Sequence, residues 1–199
     1  MVALEVRLPE VKTITSKSKK VDFKKNPIGT FVLDGENLGE ELICTCIAHR
    51  YKAVSFTNDF KFVAEFIDAK NEVPQTTEEY KAFMDASKGY KISEGYEALI
   101  MTEKGDLATF FFKSAMKSDG ASAIMKSKKG TQLVGIKVES REGKNGFDYN
   151  VAIVRKVGPF TMPVTEDSTE FLEMFSSTQA LRIGSSGSAD GESDLPAKD

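Results

Sequence analysis

Apolar and polar residues alternate along most of this chain with the period of two that is typical of β-strands. The clearest case begins at Phe60, where apolar residues occupy every second position up to Phe66, with Lys61 and Glu65 between them. Short turns with glycine or asparagine separate such segments, which predicts antiparallel hairpins. We predict strands at residues 3–8, 30–33, 42–56, 60–67, 96–102, 107–113, 132–140 and 147–157.

Two segments change to the period of an amphipathic helix. Residues 76–88 begin with a threonine cap and two glutamates, carry their apolar side chains on one side, and end at Gly89. A second helix is predicted at residues 166–181 because its apolar side chains recur with helical spacing. Residues 114–129 are small, polar and basic, and their pattern leaves a short helix or a loop open.

Length and composition place these elements in one domain. The chain has 199 residues, of which 40% are hydrophobic and 29% charged, as in ordinary globular proteins. Hairpins with separate helices predict a mainly β fold, either an all-β barrel or an α+β domain, over residues 27–183. We expect residues 1–26 to form a basic arm and residues 184–199, rich in glycine, serine and acids, to form a disordered tail.

The charge distribution is more informative than the total. The formal net charge is −3, which favours no particular partner, but lysines outnumber acids in residues 1–26 and again in residues 113–129. Cys44 and Cys46 stand two positions apart, so both thiols face the same side of a strand, where we interpret them as small buried side chains. Reduced thiols, with no signal peptide or membrane-spanning run, predict a soluble cytoplasmic protein without a membrane partner.

The sequence offers few residues for catalysis. His49 is the only histidine, so a metal site with two histidine ligands is excluded within this chain. The nucleophile-elbow, phosphate-loop and dinucleotide-binding motifs are absent. We therefore predict no enzyme, no catalytic residue, no cofactor and no metal site. A nuclease that uses scattered carboxylates and a divalent metal is the third-ranked alternative.

Aromatic residues beside cations point to a function. The chain has 14 phenylalanines and 5 tyrosines, and the run at residues 110–112 cannot lie wholly in a core covered on one side, because neighbouring residues of a strand alternate faces. Proteins that bind single-stranded nucleic acid without sequence preference stack bases on rings and attract phosphates with cations. We predict contacts to nucleic acid from Arg50, Tyr51, Lys52, Lys61, Phe111, Lys113, Lys126, Lys128 and Lys129.

The order of several motifs adds a family resemblance. Residues 29–32, residues 35–42 and the strand that continues through His49 and Arg50 precede a late hairpin with the turn sequence Gly-Lys-Asn-Gly-Phe-Asp-Tyr. Over residues 28–160 this order resembles bacteriophage single-stranded-DNA-binding proteins of the OB-fold type. The resemblance implies a five-stranded barrel that binds exposed DNA during replication or recombination, with the acidic tail contacting other replication or recombination proteins.

These observations favour a sequence-tolerant single-stranded-DNA-binding protein that protects or organises exposed strands, with RNA left open as a ligand. The alternative is a structural or assembly protein, such as a virion component or a replisome adaptor, whose β-rich body serves as an interaction surface. Either function is compatible with an oligomer. If the chain is viral, we expect it to act in the cytoplasm of the host cell.

Overall fold

A computed structural model of the chain describes residues 8–15, 18, 22–68, 77–144, 146, 148–161, 166–177 and 179–184. Within them the fold is mainly β, as predicted. The strands are β1 Lys12–Thr13, β2 Phe31–Leu33, β3 Glu36–Gly39, β4 Leu42–Phe56, β5 Phe62–Asp68, β6 Lys91–Thr102, β7 Leu107–Lys113, β8 Gln132–Glu142, β9 Asp148–Pro159 and β10 Gln179–Ile183. The helices are α1 Glu78–Ala86, α2 Lys117–Ser127 and α3 Glu166–Ser177, and a 3-10 turn, Ser114–Met116, precedes α2.

Seven strands form one antiparallel sheet around β4. One edge of β4 pairs with β6, and its other edge pairs first with β8 and then, further along, with β5. Strands β7, β9 and β10 extend the sheet from β6, β8 and β5. Strands β1 to β3 form a second sheet, which a bridge between Glu10 and Thr109 connects to β7. Within the described residues neither sheet closes into a barrel.

A β-bulge divides the long strand β4 into two halves. Cys46 pairs with Ile100 and Ala48 with Leu99, so Ile47 is one residue too many for the partner strand. A bulge of this kind reverses the alternation of side chains beyond it. Even-numbered residues before the bulge and odd-numbered residues after it therefore share one face of the sheet, which we call the inner face.

The inner face is covered by two hydrophobic clusters. The first contains Cys44 and Phe110 and is closed by Ala123 of α2, while the second surrounds Phe66 and is closed by Phe83 of α1. The two thiols are reduced and buried, as their spacing predicted. Burial of a large apolar side chain contributes roughly 1.5–3 kcal/mol, so these clusters fix which face of the sheet is closed.

The N-terminal part of the chain joins this body. Residues 8–15 belong to the segment that we expected to be an arm, yet Val11 and Ile14 are buried and Lys12–Thr13 pairs with β2. Most of the strand predicted at residues 3–8 lies outside the described residues. The open choice for residues 114–129 is resolved in favour of helix α2.

Helix α1 forms where it was predicted, with Thr77 as its cap: the Thr77 hydroxyl accepts a hydrogen bond from the backbone amide of Tyr80. The second predicted helix, residues 166–181, was wrong at its end. Helix α3 stops at Ser177, and Gln179–Ile183 forms strand β10 on the edge of β5. Backbone pairing with an open edge outweighs the helix propensity of this short segment.

Of the predicted tail, residues 185–199 lie outside the described part of the chain. Among the helices that the structure describes, none combines the length and apolar character needed to cross a bilayer.

Candidate nucleic-acid interface

The face of the sheet opposite the inner face, which we call the outer face, carries a cleft of about 1030 Å³. Strands β4 to β7 and β10 form its floor, and α3 borders it. The charged residues of the lining are the cations Arg50, Lys52, Lys113 and Arg182 and the acids Glu10, Glu65 and Glu97. Its apolar side chains include Val54, Phe56, Phe62 and Ile67.

The bulge at Ile47 explains why the two cations of β4 lie in this cleft. Arg50 and Lys52 are even-numbered, like the buried cysteines before the bulge, but the reversed alternation places them on the outer face. Tyr51, between them, points to the inner face. Pairing across β6 then sets Glu97 directly opposite Arg50, which brings a carboxylate between the two cations.

Glu97 is the centre of a buried ion-pair network. Its carboxylate accepts hydrogen bonds from Arg50 Nε at 2.7 Å and from Lys52 Nζ at 2.7 Å. Lys52 Nζ also lies 3.2 Å from Glu65 Oε1, and the other carboxylate oxygen of Glu65 lies 3.7 Å from a terminal nitrogen of Arg182. Hydrogen bonds to ionised partners hold long side chains in fixed positions, so the cleft presents its cations in a defined arrangement.

The electrostatics favour the ionised forms of Glu97 and Lys52. Burial alone would raise the pKa of Glu97, but the charges of Lys52 and Arg50 together outweigh it and leave that pKa below its usual value. Burial alone would lower the pKa of Lys52, but Glu97 and Glu65 outweigh it and raise that pKa. Glu97 and Lys52 therefore stay charged at neutral pH.

Two aromatic rings contact these cations. The Arg50 guanidinium lies 4.2 Å from the ring centroid of Phe175 on α3, and Lys52 Nζ lies 5.5 Å from that of Phe111 on β7. Phe111 is half-buried in the cleft, whereas Phe110 and Phe112 are buried in the first cluster. The prediction that the three adjacent phenylalanines could not share a one-sided core is confirmed.

Four of the nine predicted contact residues therefore line one cleft: Arg50, Lys52, Phe111 and Lys113. Lys113 has an exposed side chain at the end of β7. The remaining five residues lie elsewhere.

Tyr51 is not available as a stacking platform, and it does not belong to the candidate surface. Its ring is only 4% exposed, and its hydroxyl donates a hydrogen bond to Glu94 at 2.7 Å. A ring next to a cation in a strand points to the opposite face, so Tyr51 does not share a surface with Arg50 and Lys52. Lys61 lies in the turn between β4 and β5, outside the cleft lining, with its ammonium 3.4 Å from Asp59.

Lys126 has a structural contact instead of a free cationic surface. Its ammonium donates a hydrogen bond to the backbone carbonyl of Val154 at 2.6 Å. From the same helix, the Asp119 carboxylate accepts one from the amide of Ala152 at 2.9 Å. Both backbone groups belong to β9, whose only paired neighbour among the described strands is β8, so α2 satisfies part of an open strand edge.

Lys128 and Lys129 follow at the end of α2, with left-handed backbone angles φ of 47° and 52°. Burial and the charge of Lys129 lower the pKa of His49, whose strand partner Ala98 belongs to the first cluster. These lysines therefore lie on the inner side of the sheet, across from the cleft.

Sequence reasoning missed the residues that organise the cleft. Glu97 is 47 positions away from Arg50, and Phe175 and Arg182 lie in the segment whose end was assigned to the wrong element. One signal was present: Glu97 interrupts the apolar stretch from Tyr96 to Met101 of β6, and in the structure it is only 3% exposed. A buried carboxylate requires a cationic partner, which the neighbouring strand provides.

No group of three or more His, Cys, Asp or Glu side chains in the described residues is arranged to hold a metal ion. Comparisons with protein families, curated proteins and solved structures found no match.

Proposed function

We propose that this chain binds single-stranded nucleic acid, with DNA as the expected ligand, in the cleft of the outer face. One observation carries the proposal: cations and ring faces line the same cleft, next to an apolar surface that can cover unstacked bases. Arg50, Lys52 and Lys113 would attract the phosphates, and Phe111 would stack on a base. A duplex keeps its bases stacked inside, so the apolar part of the cleft would favour single strands.

The arrangement of the two sheets supports an OB-type reading of the fold as part of this proposal. The bridge between Glu10 and Thr109 continues the central sheet into the small sheet. The two sheets together enclose the first cluster, in which the rings of Phe31 and Phe110 meet at 5.7 Å. We interpret this as an open relative of an OB barrel, whose outer strand face is where such folds bind nucleic acid. Protection of exposed strands in replication or recombination is the setting that the resemblance suggests.

The decisive experiment compares two exposed lysines, one on each side of the sheet. Fluorescence polarisation of labelled oligo-dT would be measured with the wild type, Lys113→Gln and Lys128→Gln at several salt concentrations. We expect Lys113→Gln to weaken binding about fivefold and to reduce the salt slope by about 0.7, the value for one phosphate contact of a single strand. Lys128→Gln should leave both quantities unchanged.

Matched duplex and oligo-U arms test the ligand class. Weaker binding of the duplex is expected, and the ratio of oligo-dT to oligo-U affinity measures the preference for DNA. Absence of binding at low salt, or binding that does not respond to salt, would refute the proposal.

The alternative of a structural or assembly protein is favoured by a different observation. Phe60, Phe62 and Ile183 are exposed by 62%, 46% and 55%, near the β10 edge of the sheet. Exposed apolar side chains next to an open strand edge are typical of association surfaces. A defined homo-oligomer by light scattering, together with no affinity for oligonucleotides, would support this function instead.

A further inference from the structure

Helix α3 places an aromatic ring on Arg50, one of the cations of the cleft. Phe175 is only 3% exposed, and its ring centroid lies 4.2 Å from the guanidinium carbon of Arg50. This distance is well within the range of a cation–π contact. Arg50 is also held by Glu97, whose carboxylate lies 2.6 Å from its terminal nitrogen.

Helix α3 carries acids and an aromatic ring. It contains Glu166, Asp167, Glu170 and Glu173 and no lysine or arginine. Its residues in the cleft lining are Met174 and Phe175, so the helix brings a flat ring to a cation of the cleft, as a stacked base would.

We infer that the face of the Arg50 guanidinium is a base-stacking subsite, and that Phe175 fills this subsite in the free protein. The inference rests on the proposed function and deepens it. A base and Phe175 cannot occupy the same face of the guanidinium, so nucleic acid must displace the ring before the subsite is used. The measured affinity then equals the intrinsic affinity multiplied by the fraction of molecules in which Phe175 has left the subsite.

The packing of α3 makes this displacement feasible. Among the α3 side chains that the structure describes, Phe175 alone is fully buried: Phe171 and Leu172 are half-buried and Met174 is exposed. The ion pair with Glu97 does not depend on α3, so Arg50 keeps its position when the ring leaves. The subsite is therefore preorganised for a base.

The first test compares two neighbouring residues of α3 in the full chain. Phe175→Ala empties the subsite, whereas Ser176→Ala changes an exposed residue outside the cleft lining. We expect Phe175→Ala to bind oligo-dT about threefold to tenfold more tightly, the range that loss of one competing cation–π contact allows. Ser176→Ala should bind as the wild type does.

The second test follows the ring directly and does not depend on emptying the site. The chain contains no tryptophan, so Phe175→Trp introduces a single indole at the subsite. We expect its emission to be blue-shifted in the free protein and to move to longer wavelength when oligo-dT is added. The shift should saturate at the same oligonucleotide concentration as the polarisation signal.

The outcomes separate this inference from the proposed function. If neither the wild type nor Phe175→Ala binds oligo-dT at low salt, the proposed function fails. If the wild type binds but Phe175→Ala binds equally well or more weakly while its far-ultraviolet circular dichroism is unchanged, the displacement inference fails alone. An indole emission that does not change at saturating oligo-dT also overturns the inference.

Discussion

The two faces of the central sheet use the same kinds of residue in opposite ways. On the inner face the Tyr51 ring packs edge-on against Phe66 and Tyr80, with ring centroids 6.2 Å and 6.5 Å apart. On the outer face, one residue to either side, Arg50 and Lys52 contact rings through their cationic groups. Whether a ring stabilises the fold or is available to a ligand therefore depends on which side of the pleat it occupies.

Charge follows the same division. The outer face keeps its cations because Glu97 and Glu65 compensate them within the cleft. In the second cluster of the inner face, the buried hydroxyls of Ser55 and Ser87 pair with each other, at 2.7 Å. These polar groups find their partners on their own face, so a change on one face should leave those of the other intact.

The largest test of this contrast uses two adjacent phenylalanines of β7. Phe112 is fully buried in the first cluster, so Phe112→Ala should lower the free energy of unfolding by about 3–5 kcal/mol. Phe111→Ala, on the outer face, should lower it by about 1 kcal/mol but weaken oligo-dT binding, because a stacked base contributes roughly 1–3 kcal/mol. Urea denaturation and fluorescence polarisation measure the two effects. Equal destabilisation by the two variants would contradict the division.

The next effect concerns the compensation within the cleft. Glu97→Gln leaves Arg50 and Lys52 without their shared carboxylate, and we expect a loss of about 3 kcal/mol in urea denaturation at pH 7. The pKa of Glu97 is below its ordinary value of 4.5, so this stability is present above pH 4.5 and is lost as the pH falls through the lower, folded-state pKa. The difference between wild type and variant should therefore shrink below pH 4.5.

Tyr51→Phe removes the hydrogen bond to Glu94 on the inner face, and it should lower the free energy of unfolding by about 1 kcal/mol.

A smaller effect tests the cover of the inner face. Lys126→Met removes the hydrogen bond to β9 and should destabilise the protein by about 1 kcal/mol without changing the salt slope of oligo-dT binding. Lys128→Gly should instead stabilise it by about 0.5–1 kcal/mol, because glycine adopts a positive φ without steric cost. Thermal denaturation distinguishes the two signs. A reduced salt slope in Lys126→Met would contradict this assignment and would indicate that Lys126 contacts nucleic acid.

The smallest effect is a pH dependence on the inner side. The pKa of His49 is lowered from 6.5 by burial and by Lys129, so the unfolded chain binds a proton that the folded chain does not. Stability should therefore fall as the pH drops below 6.5, until the folded-state pKa is reached. His49→Gln should flatten this part of the curve in melting experiments. An unchanged slope would exclude His49, the only histidine of the chain, as its origin.

Much of the fold could be predicted from the sequence because its signals are local. The bounds of β4 and the cap of α1 follow from alternation and from one threonine. The network of Glu97 and the edge contact of Lys126 could not be predicted, because they depend on which distant strands become neighbours. Strand β10 was missed for the same reason, because this short segment becomes a strand only by pairing with the open edge of β5.

The bulge at Ile47 shows that the register of β4, and not only the kind of its side chains, decides which residues face the cleft. Substituting Ile47 changes one half-buried side chain, whereas removing it would let Cys46 and Ala48 follow each other opposite Ile100 and Leu99 in unbroken alternation. Arg50 and Lys52 would still face the cleft and Tyr51 the aromatic cluster, without the bend that a bulge introduces. The faces of β4 are therefore set by its register against β6, and deletion of the bulge residue should do less damage than a deletion in the regular part of the strand, which would exchange odd and even positions beyond it.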